Sequence, residues 1–462
     1  MRIIILGAGR VGESVAESLA SEHNDITLID PDPERLRELE GRLDLRGVPG
    51  NGIQPSVLRL AGAGDADLFI ACAALDETNL TACKVAHDVF GVATTVARVR
   101  SPEFEEGSEL MGKTGFAVTH LICPEETVMN DIRQLIHYPE ALQVLEFSRG
   151  RAYLIAVRAV QGSRLVSHTL GEFRALFANV TMRVVAVYRQ EVEVPVDADT
   201  RVRSGDEVFV MADKDKIRAV LRAIHNHDRP VRRVMIAGGG KVGLRLARSL
   251  VGQCAVKIIE RSRKRCQYLA GELPNEMLVL EGDSADADLL IEESVAEMDL
   301  FISLTNDDED NILSAMMAKR LGARRVIALI NRRIYADMMQ GSAIDIAISP
   351  AQTVIGELLV HVRRGDVVAV HSLRRGEAEA IEGVARGDAR TSKLVGRRVE
   401  QVALPAGARF GVIVRGPDDD CEVLMPSHDL MILEGDHIIF FIPNKRLLKA
   451  VEKLFQVSAH FF

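Results

Sequence analysis

Apolar residues in this chain come in short runs of four or five, each closed by a glycine-rich or polar turn and followed by a helical stripe. The first run, Ile3-Ile4-Ile5-Leu6, leads into Gly7-Ala8-Gly9-Arg10-Val11-Gly12 and a helix expected over about 10–20. A second run at 26–29 stops at Asp30, a helix follows near 33–43, and a short strand near 45–48 precedes Gly50-Asn51-Gly52. The run at 68–72 feeds a helix over about 77–90, and a strand at 95–99 comes after it. Strands alternating with helices of this length predict a parallel sheet covered on both faces.

The pattern is written twice. Val234-Met235-Ile236-Ala237 leads into Gly238-Gly239-Gly240-Lys241-Val242-Gly243, an offset of about 231 residues counted from Gly7 to Gly238. Strands are expected at 256–259, ending at Glu260, at 278–280 before Gly282-Asp283-Ser284, at 300–304 and at 326–330. Asp76-Glu77-Thr78-Asn79 recurs as Asp308-Glu309-Asp310-Asn311, and Arg203-Ser204-Gly205-Asp206 as Leu433-Glu434-Gly435-Asp436. The period is far longer than the roughly 20–50 residues of a solenoid repeat. One unit has been duplicated and fused.

In each copy a proline, Pro124 or Pro350, then opens a helix at its favoured first position. Val128, Met129, Ile132, Leu135 and Ile136 form one apolar stripe; Val354, Ile355, Leu358, Leu359 and Val362 form the other. The stripes serve packing on the helix's own domain or a crossing to a neighbour. A β-rich segment follows, with strands expected at 144–147, 153–160, 184–188 and 208–211, and a charged helix closes each copy near 214–224 and 445–455. The fold class expected is α/β: two tandem units, each a Rossmann-type doubly wound parallel sheet followed by a small α+β lobe. The domains expected are 1–123, a crossover helix 124–140, a lobe 141–225, a linker 226–232, then 233–348, a crossover helix 349–366 and a lobe 367–457.

The formal charge of −9 is spread along the chain, which argues against a nucleic-acid partner, since that needs a basic stripe. Local clusters such as Arg261-Ser262-Arg263-Lys264-Arg265 and Arg374-Arg375 read as solvated faces. No apolar stretch approaches the roughly 20 residues of a membrane helix, and no secretory leader is recognisable, so a cytoplasmic protein is expected. The six cysteines form neither C-x-x-C nor a zinc spacing, and are expected as reduced, mostly buried thiols; no metal site is expected.

A lone G-x-G-x-x-G is weak evidence. Here each follows a strand, opens a helix and has an acid about twenty residues on, the context that marks a dinucleotide fingerprint. Gly7 and Gly238 make the tight turn, Gly9 and Gly240 let a pyrophosphate approach the backbone, and Gly12 and Gly243 allow close helix–strand packing. The helix starts at Arg10-Val11 and Lys241-Val242 offer free N–H groups to phosphate, with Ala8 and Gly239 between the glycines. Asp30 and Glu260 are placed for ribose hydroxyls and would repel a 2′-phosphate, so NAD(H) or adenine nucleotides are expected; the plainer alternative is a helix cap or a surface acid. Asp283 suits the adenine end; Asn51, its counterpart, carries no charge. Ala73-Ala74 and Thr305-Asn306 lie at the sheet's carboxyl edge. Arg98 is placed to reach phosphate or to form a structural ion pair, and its counterpart is Leu329. No S-x-x-x-Y-x-x-x-K pair and no His/Asp pair is placed over a nicotinamide, so no catalytic residue is expected. Asp307 to Asp310 read as an acidic helix start.

Glycine turn, terminal acid, G-D-x or its variant, D-E-x-N, proline-started helix and small β-rich lobe together resemble the RCK (KTN) domain, which regulates potassium channels and transporters. Two such units in tandem are similar to the peripheral subunits of bacterial Trk potassium uptake. The stretches 97–102, 344–350 and 372–376 are close to that pattern; Gly50-Asn51-Gly52 departs from G-D-x. The resemblance implies binding of NAD(H) and of ATP or ADP, a homo-tetramer, and docking on the cytoplasmic face of a channel-like membrane subunit of the TrkH or TrkG type, whose potassium flow follows nucleotide state. An NAD-dependent oxidoreductase with a small-molecule substrate is the rival reading, and a redox-responsive transcription regulator a third.

Overall fold

A computed structural model describes residues 1–457 except 21, 23, 102, 105–106, 178–179, 181, 226–228, 340–343, 364–365, 375–376 and 418–419. Of the expected linker only 229–232 are described; 226–228 lie outside the described residues, as do Pro102, Arg375 and Gly376 of the quoted stretches.

The first copy opens with strands β1 (Arg2–Leu6), β2 (Asp25–Asp30), β3 (Arg46–Pro49), β4 (Leu68–Ala71), β5 (Thr94–Arg98) and β6 (His120–Ile122). They pair in the order β3-β2-β1-β4-β5-β6, all parallel, the doubly wound order that leaves a crevice beyond the carboxyl ends of β1 and β4. β1 reads as one unbroken apolar run because helices cover both faces, leaving Ile3 to Leu6 buried. An antiparallel sheet follows: β7 (Ala141–Phe147), β8 (Ala152–Arg158), β9 (Met182–Arg189), β10 (Val192–Val194) and β11 (Glu207–Asp213), in the order β10-β9-β11-β8-β7.

The second copy repeats both sheets. β12 (Arg233–Ala237), β13 (Ala255–Glu260), β14 (Leu278–Glu281), β15 (Leu300–Ser303), β16 (Val326–Leu329) and β17 (Ile346–Ile348) are parallel in the order β14-β13-β12-β15-β16-β17. β18 (Val367–Leu373), β19 (Ala378–Val384), β20 (Arg409–Arg415), β21 (Glu422–Leu424) and β22 (His437–Ile442) are antiparallel, β18-β19-β22-β20-β21.

Packing regroups these parts. One compact unit is Met1–Met129 with Arg233–Leu358, so it holds both parallel sheets; the other is Asn130–Arg232 with Leu359–Phe462 and holds both antiparallel ones. The antiparallel lobes share a core in which Phe147, Leu154, Phe209 and Met211 of the first lie among Leu373, Val412, Ile439 and Phe441 of the second. The Phe209 and Phe441 rings stand 6.0 Å apart. Among the described residues no helix is long and apolar enough to cross a membrane, and no group of His, Cys, Asp and Glu is arranged for a metal. All six cysteines are free, but only Cys72 and Cys83 are buried; the other four are half-buried, against the expectation of mostly buried thiols.

Candidate functional site

Both glycine turns are forced by contact. Gly7 has φ +100 and Gly238 φ +105, a region that glycine enters without cost. A Cβ on Gly7 would lie 2.9 Å from the Ala73 amide nitrogen, and one on Gly238 3.0 Å from that of Thr305. The turn therefore presses on the loop after β4 or β15, which brings Ala73 and Thr305 to it. A Cβ on Gly12 would lie 1.9 Å from the Gly7 carbonyl oxygen, and one on Gly243 2.1 Å from that of Gly238. Gly9 and Gly240 differ: a Cβ there meets nothing within 4 Å. They face open space at the helix start, where Arg10 and Lys241 are exposed, Val11 and Gly243 are buried, and Val242 is half-buried.

Asp30 and Glu260 are not helix caps. Those places belong to Asp32 and Ser262, whose side chains cap Pro33–Glu40 and Arg263–Glu272. Asp30 instead accepts the Ala8 N–H at 2.7 Å and the Asp32 N–H at 2.9 Å. Glu260 accepts the Gly239 N–H at 2.9 Å and the Ser262 N–H at 2.8 Å. Each carboxylate thus stands beside its glycine turn, with lone pairs left for a hydroxyl donor.

The Gly50 amide donates to the Asp30 carbonyl and the Gly282 amide to that of Glu260, each at 3.0 Å, which carries Asn51 and Asp283 to the same edge. Both side chains close a local turn, Asn51 on the Ile53 N–H and Asp283 on that of Ala285. Asp283 also pairs with Arg261 at 2.9 Å, and Arg261 reaches Asp310 at 3.2 Å. The Ala285 amide and then Arg261 hold the Asp283 carboxyl below its ordinary range, against the opposing effect of burial. Pro31 occupies the Arg261 position and Asn51 that of Asp283 in the first copy, so this ion pair belongs to the second copy alone.

The D-E-x-N recurrence is a brace. Asn79, fully buried, accepts the Ala73 N–H at 2.8 Å and donates to the carbonyls of Ala73 and Arg98. Asn311 does the same for Thr305 and Leu329. Asp76 accepts the amides of Arg100 and Ser101, and Asp308 those of Asn331 and Arg332. The acids therefore fix the loops after β5 and β16, a role beyond a helix start. The side chain of Arg98 pairs with Glu125 at 3.2 Å, and its Nε is buried with no partner. Ala74 and Asn306 are exposed at the carboxyl edge.

Sequence reasoning missed Arg35 and Arg265. Each stands five residues past the acid, and its Nε donates to the carbonyl of the turn's middle residue: Arg35 to Ala8 at 3.4 Å, Arg265 to Gly239 at 2.7 Å. The signal available was their equal spacing from Asp30 and Glu260.

Both copies match known domain families. The TrkA-N domain model matches residues 3–124 and 234–350, and the TrkA-C domain model matches 154–225 and 389–456. The chain is 48% identical over its full length and that of the Trk system potassium uptake protein TrkA of Halomonas elongata, and 47% identical to that of Vibrio alginolyticus, again over both full lengths. The chain belongs to the TrkA family. Among solved structures, the GsuK RCK domain covers 98% of this chain, with 94% of its own length matched, a TM-score of 0.59 and 17% identity. A GsuK channel bound to NAD covers 97% of this chain, with 79% of its own length matched and the same score and identity. The fold is that of two tandem RCK units, each a parallel sheet with an antiparallel lobe.

Proposed function

We propose that this chain is the nucleotide-binding regulatory subunit of a Trk-type potassium uptake system. It binds NAD(H), and ATP or ADP, at two sites, one on each glycine turn. It assembles as a homo-tetramer on the cytoplasmic face of a membrane subunit of the TrkH or TrkG type and gates its potassium flow. The observation that carries this reading is the doubled cradle of open glycine and acid, Gly9 with Asp30 and Gly240 with Glu260, in a family of potassium uptake proteins. Two such sites on one chain suit a device whose shape depends on what it holds. A carboxylate at each ribose position favours NAD over its 2′-phosphorylated form.

Calorimetric titration with NAD tests the sites. Two equivalents per chain are expected, falling to one in Gly9→Val and one in Gly240→Val. The rival reading, an oxidoreductase, requires turnover. Steady NADH oxidation by the pure protein, stimulated by a small metabolite and abolished by Gly9→Val, would overturn the regulatory reading.

A further inference from the structure

The middle peptide of each glycine turn is gripped from both sides. Its preceding N–H, of Ala8 or Gly239, is taken by Asp30 or Glu260. Its carbonyl, again of Ala8 or Gly239, is taken by the Nε of Arg35 or Arg265. No described peptide bond is cis. Carbonyl and N–H of a trans peptide point in opposite directions. Fixing the Ala8 carbonyl on Arg35 therefore turns the Gly9 N–H away from the arginine, and Arg265 does the same for Gly240; at both glycines the Cβ direction is open, with nothing within 4 Å. The same grip appears in two copies whose surrounding residues differ, so it is not an accident of one loop.

The two grips are unequal. Arg35 is shared with Glu13 and with Glu38, the latter at 2.5 Å, and its bond to Ala8 is long. Glu13 sits in the first turn of helix Arg10–Ala20, beside the phosphate end. In the second copy Leu244 stands at the Glu13 position and Tyr268 at that of Glu38. Helix Lys241–Ser249 has no acid in its first turn. Arg265 forms no ion pair among the described residues, lies with its guanidinium 4.6 Å from the centre of the Tyr268 ring, and bonds Gly239 at 2.7 Å.

We infer that Arg35 and Arg265 are positioning residues that aim the glycine-turn N–H at a ligand phosphate, and that Glu13 weakens this aim in the first site. The inference rests on the nucleotide reading of the two turns. A preorganised donor contributes more to binding because less order remains to be imposed. Glu13, paired with Arg42 at 2.6 Å as well as with Arg35, also places a carboxylate at the helix start, where an anion would otherwise be favoured. The second site is therefore the better phosphate binder of the two.

The test measures NAD and adenosine binding at one site at a time, with the first site silenced by Gly9→Val combined with Asp30→Ala, or the second by Gly240→Val combined with Glu260→Ala. Adenosine lacks phosphate but keeps base and ribose, so it reports a disturbed fold and not a disturbed aim. Arg265→Ala should weaken NAD at the second site by about tenfold, the cost of one misaimed N–H to phosphate hydrogen bond, and leave adenosine unchanged. Glu13→Gln, which keeps the shape, should tighten NAD at the first site by about two- to fivefold, and Glu13→Leu should do likewise. Equal losses for NAD and adenosine in Arg265→Ala, or a first site indifferent to both Glu13 variants, would overturn the inference while leaving the two sites in place. A wild-type chain that binds no NAD overturns both this and the functional reading.

Discussion

At the scale of single residues, chemistry at the two cradles is set by a few charged and small side chains. Asp30 and Glu260 each accept one N–H from the glycine turn and one from the residue two positions on, and the proposed function gives their remaining lone pairs to a ribose hydroxyl. Asp30→Ala and Glu260→Ala should each weaken NAD at their own site by roughly ten- to a hundredfold, since a hydrogen bond to a charged group contributes about 1.5–3 kcal/mol. Calorimetry that returned wild-type affinity in either variant would remove that residue from the site. Burial pushes the Cys72 thiol up to about 12, against the pull of the Arg98 charge, and burial raises Cys83 as well. The reactive thiolate forms only as pH rises through the folded pKa, so both thiols should resist iodoacetamide at pH 8 in the folded chain and react once it is unfolded. Mass spectrometry reads this directly; rapid labelling of either in native protein would contradict it. The cradle glycines and acids were legible because their spacing from a strand end is characteristic. Arg35 and Arg265 were not, because an arginine in the first turn of a charged helix looks like any solvated face, and its target is a backbone carbonyl that no side-chain pattern announces.

At the scale of elements, the glycine turn and the asparagine brace hold the sheet edge in one shape. Gly12 and Gly9 separate structure from binding. Gly12→Ala drives a methyl into the Gly7 carbonyl and should lower the melting temperature, whereas Gly9→Val meets open space and should melt like wild type while losing the first site. Asn79→Ala strips partners from the half-buried Ala73 amide and from two half-buried carbonyls, at up to about 1–3 kcal/mol for each group left unmet. Thermal melts of the three variants check this, and a Gly12→Ala chain as stable as wild type would contradict the packing. Parallel strands such as 2–6 and 300–303 were legible because burial on both faces makes them unbroken apolar runs ahead of a turn. β6 and β17, three residues each, are too short to show a period and exist because β5 and β16 offer them an edge. The helices Arg164–Ser167 and Leu170–Leu176 are likewise too short for a stripe, though Thr169 and Glu172 form a capping box at the second.

At the scale of the whole molecule, duplication puts two parallel sheets in one unit and two antiparallel lobes in the other. This regrouping was not visible in the sequence, where each sheet is followed by its own lobe; it comes from apolar faces such as Phe209 and Phe441 that complete one core only together. A nucleotide held equally well by two shapes shifts nothing, so gating requires that NAD and ATP, or oxidised and reduced dinucleotide, favour different arrangements. Solution scattering should therefore give different profiles for the chain saturated with different nucleotides, and one profile for all in Gly9→Val/Gly240→Val. The most direct measurement of the central claim is potassium flux into vesicles that carry the membrane subunit with this protein on the outer, cytoplasm-equivalent side. Flux should change with the nucleotide supplied, and that dependence should vanish in the Gly9→Val/Gly240→Val chain although it still docks. Flux that responds to the protein but is the same with NAD, NADH, ATP, ADP or no nucleotide would contradict the account.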